Sequence, residues 1–190
     1  MEIDFTDPRC REALERARKQ ILAGYRVLRD EVGVDKPSDN AFLREAQACA
    51  QASIIWVSDR GGADGRTHQG EEVEIKSTRL DTRRSINFPT SRYVSPTVIT
   101  RFRQAHFWLF AIFDVYEELA GLYRVEGNDM RDIIDHLELR MQQCQANDVA
   151  LPNNPKIPFT WIRPFATRLF LNPELVEFQQ ARRGWMLRPR

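Results

Sequence analysis

Glu74 follows Asp64 by ten positions and Lys76 comes two further on, the spacing D-x9-E-x-K. Glu72-Val73-Glu74-Ile75-Lys76 alternates in strand fashion, so Glu74 and Lys76 project from one face, roughly 6.6 Å apart along it. Gly61-Gly62-Ala63-Asp64-Gly65 reads as a loop or hairpin turn. If that turn returns Asp64 beside Glu74, the two carboxylates could hold a divalent metal through hard oxygen ligands, with the Ile75 carbonyl as a third. Lys76 would then orient or help deprotonate a water for in-line attack on a phosphodiester, while the metal stabilises the developing charge. The same residues also fit a solvated strand face with a Glu–Lys pair and a turn aspartate, and spacing alone does not choose.

The elements that must position this trio are legible around it. Asp7-Pro8 starts a long helix over about 8–31, with Ala13, Ala17, Ile21, Leu22, Tyr25 and Leu28 as its apolar stripe. Ser38 or Asp39 caps a second helix through Ala50, and Ser53 to Val57 reads as a buried strand. Glu71 to Thr78 is the alternating strand, followed by a long connection from Arg79 to Pro96 without clear periodicity. Phe107 to Phe113 is a near-continuous apolar run, expected of a central strand covered on both faces. A strand over Leu119 to Val125 and an amphipathic helix over Asp129 to Gln145 come next. The three prolines between Leu151 and Pro158 predict an irregular loop, and a short strand or turn and a final helix over about Pro173 to Arg182 end the chain. The expected class is α/β (α+β), a mixed central sheet flanked by helices.

Composition narrows the function. With 190 residues, 42% hydrophobic and 29% charged, the chain is one domain and neither disordered nor of low complexity. Its longest apolar-dominated stretch, His106 to Phe113, is far shorter than the roughly 18 residues of a membrane span. Met-Glu-Ile-Asp is no signal peptide, and three scattered cysteines make no disulfide framework or zinc site, so a cytoplasmic location is expected. Net charge is only +1, yet Lys76 to Arg103 holds seven basic residues against one acid, and Trp161 to the end six arginines against two. A polyanion could dock on such segments, although a solvated face has the same look.

Several stretches extend the pattern. Ser38-Asp39-Asn40, Gly70 to Ser77, Ser95 to Gln104, Trp108 to Phe113, Leu122 to Glu126 and Asn153 to Pro158 together resemble, in order and spacing, the PvuII-type restriction endonucleases, a branch of the PD-(D/E)xK nucleases. The resemblance implies Asp64 and Glu74 as metal-binding carboxylates, the Ile75 carbonyl beside them and Lys76 as the catalytic lysine. It implies that Asp39, beside Asn40, faces the minor groove and that Asn153 and Asn154 read base edges in the major groove, an amide having both donor and acceptor. Where relatives carry consecutive base-reading histidines, this chain has Thr90-Ser91-Arg92-Tyr93; Arg92 is expected to read a guanine, or alternatively to clamp a phosphate. Phe102 stands where the family has a tyrosine, so hydroxyl-dependent water placement is lost.

By the same resemblance the chain would be a Mg²⁺-dependent homodimeric endonuclease cutting a short palindromic site in double-stranded DNA, giving 5′-phosphate and 3′-hydroxyl ends. Its functional counterpart would be a DNA methyltransferase acting on the same site. One nuclease domain over 1–190 is expected, with 1–37 as an N-terminal helical dimerisation region and 166–190 as a C-terminal helical extension. A structure-selective repair or recombination nuclease on the same fold, or a non-catalytic DNA-binding module, would share these features.

Overall fold

The computed structural model describes residues 2–4, 6–32, 41–57, 62–80, 86–90, 94–114, 117–151 and 154–173. The elements are β1 (Glu2–Asp4), α1 (Pro8–Val32), α2 (Ala41–Ala52), β2 (Ile55–Val57), β3 (Gly65–Arg66), β4 (Glu72–Arg79) and β5 (Asn87–Pro89). They continue with α3 (Pro96–Gln104), β6 (Phe107–Phe113), β7 (Leu119–Glu126), a 3-10 turn (Gly127–Met130), α4 (Arg131–Ala146), β8 (Lys156–Pro158), α5 (Phe159–Ile162) and β9 (Thr167–Leu171).

Seven strands make one mixed sheet in the order β1-β2-β3-β4-β6-β7-β9, and β5 pairs with β8 in a separate ribbon. Among the described strands only β4 and β6 run parallel, with Glu74 opposite Trp108 and Lys76 opposite Phe110. Parallel neighbours need a crossover, and α3 supplies it, which brings that helix over the strand carrying Glu74 and Lys76. Ser95 starts α3 by accepting from the Val98 N–H at 3.3 Å with Pro96 at the first helical position. Asp7 caps α1 in the same way, accepting from Arg9 N–H at 2.8 Å.

Residues of β6 alternate between two cores, as the fully apolar run requires. Phe107, Leu109, Ala111 and Phe113 join Val73 and Ile75 of β4, Ala46 and Cys49 of α2, and Cys10 and Leu14 of α1. Trp108, Phe110 and Ile112 join Phe102 of α3, Ile134, Leu137 and Met141 of α4, and Phe88 and Ile157 of the ribbon. The sheet is therefore covered by α1 and α2 on one face and by α3, α4 and the ribbon on the other. Between the end of α3 and the 3-10 turn the backbones touch: a Cβ on Gly127 would lie 2.2 Å from the Ala105 carbonyl oxygen, so glycine is required there.

Four expectations need correction. The Arg79–Pro96 connection holds β5 and the Leu151–Pro158 loop holds β8; each strand is three residues, too short for periodicity, yet Phe88 and Ile157 are fully buried core residues. The short strand or turn expected after Thr160 is the edge strand β9 (Thr167–Leu171) on β7, so a helical extension does not start at 166, while 174–190 lies outside the described residues. The region 1–37 is not purely helical, because β1 pairs with β2. On α1 the packed stripe is Cys10, Leu14 and Leu22, whereas Ala13 and Ala17 are exposed. Leu22 of the stripe read from sequence is buried and Ile21 half-buried, while nearer the start of the helix Leu14 packs in place of Ala13 and Ala17, because this helix covers its own sheet. The side chains of Tyr25 and Leu28 lie outside the described ones.

Candidate active site

A tight turn builds the site. Thr67 N–H donates to the Glu71 carbonyl at 2.9 Å and Gly70 N–H to the Thr67 carbonyl at 3.0 Å, with Gly70 at φ 85, a conformation suited to glycine. This hairpin sets Gly65 opposite Val73, which puts Asp64 beside Glu74. The Asp64 main chain is fixed as well, its carbonyl accepting from Val57 N–H at 3.1 Å. Its carboxylate oxygen Oδ2 accepts from the Ile75 N–H at 2.8 Å and lies 3.6 Å from Lys76 Nζ. Lys76 Nζ also donates to Glu74 Oε1, so one ammonium is held by both carboxylates. The D-x9-E-x-K residues are thus brought together, and the fully solvated strand face is excluded: Glu74 is 1% exposed.

Phe102 closes the site from below, packed edge-on against Trp108 at 4.8 Å, with Lys76 Nζ 5.5 Å from its ring centroid. This phenyl ring gives Lys76 an apolar wall. Burial pulls the Lys76 ammonium down, but Asp64 and Glu74 outweigh it and leave the group above its ordinary range. A protonated Lys76 here is placed to orient a water. Burial pushes the Glu74 carboxyl up, against the pull of Lys76 and Arg101.

Two neighbours were not read from sequence. Arg101, on α3, donates from Nη2 to Glu74 Oε1 at 2.9 Å; in the sequence it is one arginine in a basic run. Glu45 of α2 is the other. Burial, then the Asp64 carboxylate, pushes the Glu45 carboxyl up to about 7, against the Trp56 indole and Lys76. Its signal was available: Glu45 precedes buried Cys49 by one helical turn, so a lone carboxylate sits on the sheet-facing stripe.

A carboxyl with a raised native pKa favours the folded state fully below the ordinary carboxylate range. That advantage drains as pH rises, because the unfolded chain ionises first, and is gone above about 7. Glu45→Gln is therefore expected to stabilise the metal-free protein by about 2 kcal/mol at pH 8 and to make no difference near pH 4. Thermal melts of both proteins across that range check it, and a constant offset at all pH values would refute the titration.

Could these residues take a metal? Glu74 Oε2 is buried without a hydrogen-bond partner, an orphaned carboxylate oxygen that a cation would satisfy, and the hard oxygens of Asp64 and Glu74 suit Mg²⁺. Among the described residues no three His, Cys, Asp or Glu side chains are grouped to share a metal. The fit is therefore of two carboxylates completed by main-chain oxygen, water or substrate.

Of the residues expected to contact DNA, Asp39, Asn40, Ser91, Arg92, Tyr93 and Asn153 lie outside the described residues. Asn154 is exposed, at φ 51. The β5–β8 ribbon nonetheless ties together the flanks of the two segments expected to read the major groove. Thr90, which precedes 91–93, donates from N–H at 3.0 Å and from Oγ1 at 2.7 Å to the carbonyl of Pro155, which follows Asn153-Asn154. His68 belongs elsewhere, with Nε2 2.8 Å from Thr6 Oγ1. No helix among the described residues is long and apolar enough to cross a membrane.

Comparison with curated proteins finds no match. The family model described as Restriction endonuclease PvuII, however, matches residues 13–170, most of the chain, from within α1 to within β9 and including Asp64, Glu74 and Lys76. With the paired carboxylates and lysine in place within a mixed sheet, the chain belongs to the PvuII restriction endonuclease family and is a DNA-binding nuclease.

Proposed function

We propose that the protein is a type II restriction endonuclease that hydrolyses both strands of a short palindromic duplex site with Mg²⁺, leaving 5′-phosphate and 3′-hydroxyl ends. The observation that carries this reading is the buried trio: Asp64 and Glu74 sharing the Lys76 ammonium, with Glu74 Oε2 left unsatisfied. Asp64 and Glu74, with the Ile75 carbonyl, would hold the divalent cation, and the cation when bound supplies charge neutralisation at the phosphate under attack. Ile75 N–H fixes the Asp64 carboxylate against β4. Lys76, protonated and walled by Phe102, orients the attacking water and opposes the charge that builds on the phosphoryl oxygens. Burial of Glu74 keeps bulk water from screening these interactions.

Asp39 and Asn40 approach the minor groove, and Ser91, Arg92, Tyr93, Asn153 and Asn154 read the major groove, with Arg92 on a guanine. A two-fold homodimer joined in part by 1–37 presents the same residues to each half-site, which is why the site is a palindrome. Such an enzyme works in the cytoplasm alongside a methyltransferase that protects the host's copies of the site.

Incubation with plasmid DNA and Mg²⁺ tests the reading. Discrete fragments whose ends map to one repeated sequence are the expected result. Nicks confined to branched or mismatched DNA would assign a structure-selective nuclease instead, and intact plasmid at every metal concentration would leave a binding module.

A further inference from the structure

Lys76 and Arg101 both donate to Glu74 Oε1, while Oε2 of the same carboxylate has no partner. With Asp64 also near Lys76, two cations balance two carboxylates. A divalent ion on those carboxylates upsets that balance and must repel the nearby guanidinium. Only one of the two cations is placed to respond. The Lys76 side chain is 8% exposed and enclosed, whereas that of Arg101 is 21% exposed and lines an open cleft of about 420 Å³. The cleft wall includes Gly62 and Ala63, which lead into Asp64, Thr100 and Gln104 of α3, and one carboxylate, that of Glu72 on β4. It therefore opens beside the carboxylates. Arg101 Nε, moreover, is buried without a hydrogen-bond partner, so part of the guanidinium fork is unused.

A planar fork with unspent donors, next to a cleft at a phosphodiester-cutting centre, has one natural occupant: a phosphate, which guanidinium binds in bidentate fashion. We propose that Arg101 is a second cationic residue of the reaction, resting on Glu74 in the free protein and transferring to the phosphate being cut when metal and DNA are bound. This rests on the assignment of Asp64, Glu74 and Lys76 as the nuclease centre. In the free protein Arg101 competes with the cation for Glu74. In the complex it neutralises the phosphoryl oxygens, as Phe102 cannot.

The test separates this role from mere support of Glu74. Arg101→Gln should bind Ca²⁺ without DNA roughly tenfold more tightly by calorimetry, because a competing charge is gone. Its cleavage of plasmid with Mg²⁺ should nevertheless fall on the order of 100-fold or more. Binding of a mixed-sequence duplex in Ca²⁺ should lose about one counterion from its salt dependence. Arg101→Lys keeps the charge without the fork, so it should retain the salt dependence while recovering little of the rate. Weaker Ca²⁺ binding in Arg101→Gln would mean that Arg101 only props Glu74, and unchanged cleavage would remove it from the reaction; either result overturns the proposal. The parent assignment fails separately, if Asp64→Asn still binds Ca²⁺ as the native protein does.

Discussion

Asp64→Asn is expected to lower Mg²⁺-dependent cleavage by at least about 1,000-fold while leaving the protein folded. The asparagine oxygen can still accept the Ile75 N–H that Asp64 Oδ2 accepts at 2.8 Å, so the turn keeps its anchor to β4. What disappears is one of two negative charges facing a cation in a buried site, where charge is screened least. Lys76→Ala should behave differently. It removes the group that orients water yet leaves both carboxylates, so cleavage is lost while divalent-metal binding and duplex binding persist. Calorimetric titration with Ca²⁺ alongside plasmid digestion distinguishes the two variants. Cleavage by Asp64→Asn at the native rate would refute the metal assignment, and loss of metal binding in Lys76→Ala would mean that the lysine shapes the carboxylate pair itself.

That trio was legible in the sequence because its geometry is local. Strand alternation fixes Glu74 and Lys76 on one face, and a ten-residue hairpin can return only a near neighbour such as Asp64. The β6 run and the α4 stripe were legible for the same reason, their periods being intact over whole elements. Arg101 and Glu45 were not, since their proximity to the site depends on how α3 and α2 dock across the sheet, and no local period encodes that. The ribbon escaped detection through its size: Asn87-Phe88-Pro89 and Lys156-Ile157-Pro158 carry one buried side chain each and two prolines between them. Proline at a strand end removes a ladder donor, so such segments read as loops until a partner is seen. In α1 the periodicity was read correctly as helical, but small alanines mark two faces equally well, and the longer Leu14 and Leu22 choose the one that packs.

Docking of α2 depends on charge buried at the opposite end of β4. Glu117, in the turn between β6 and β7, is 2% exposed and accepts from Arg44 Nε at 2.5 Å and Nη2 at 2.8 Å, with Arg79 Nη1 at 3.4 Å. Gln47, one helical turn along α2, donates from Nε2 to the Glu117 carbonyl at 3.2 Å. Two α2 side chains thus converge on a single turn residue held at φ 63. Glu117→Gln keeps the shape but replaces one carboxylate oxygen by an amide that donates, removing the negative charge that Arg44 and Arg79 both meet in a site sheltered from water. Breaking one side of a buried pair costs about 3 kcal/mol or more, which for a chain of this size is a fall of roughly 10 °C in Tm. Arg44→Met in the Glu117→Gln background should then recover over half of that loss. It removes the guanidinium that faced the lost carboxylate, while the Gln47 bond, made to the main chain, survives. Thermal melts of the single and double variants decide between this and a purely decorative pair. A shift below about 2 °C for Glu117→Gln, or a double variant less stable than the single one, would show that the carboxylate is not what holds α2 against the sheet.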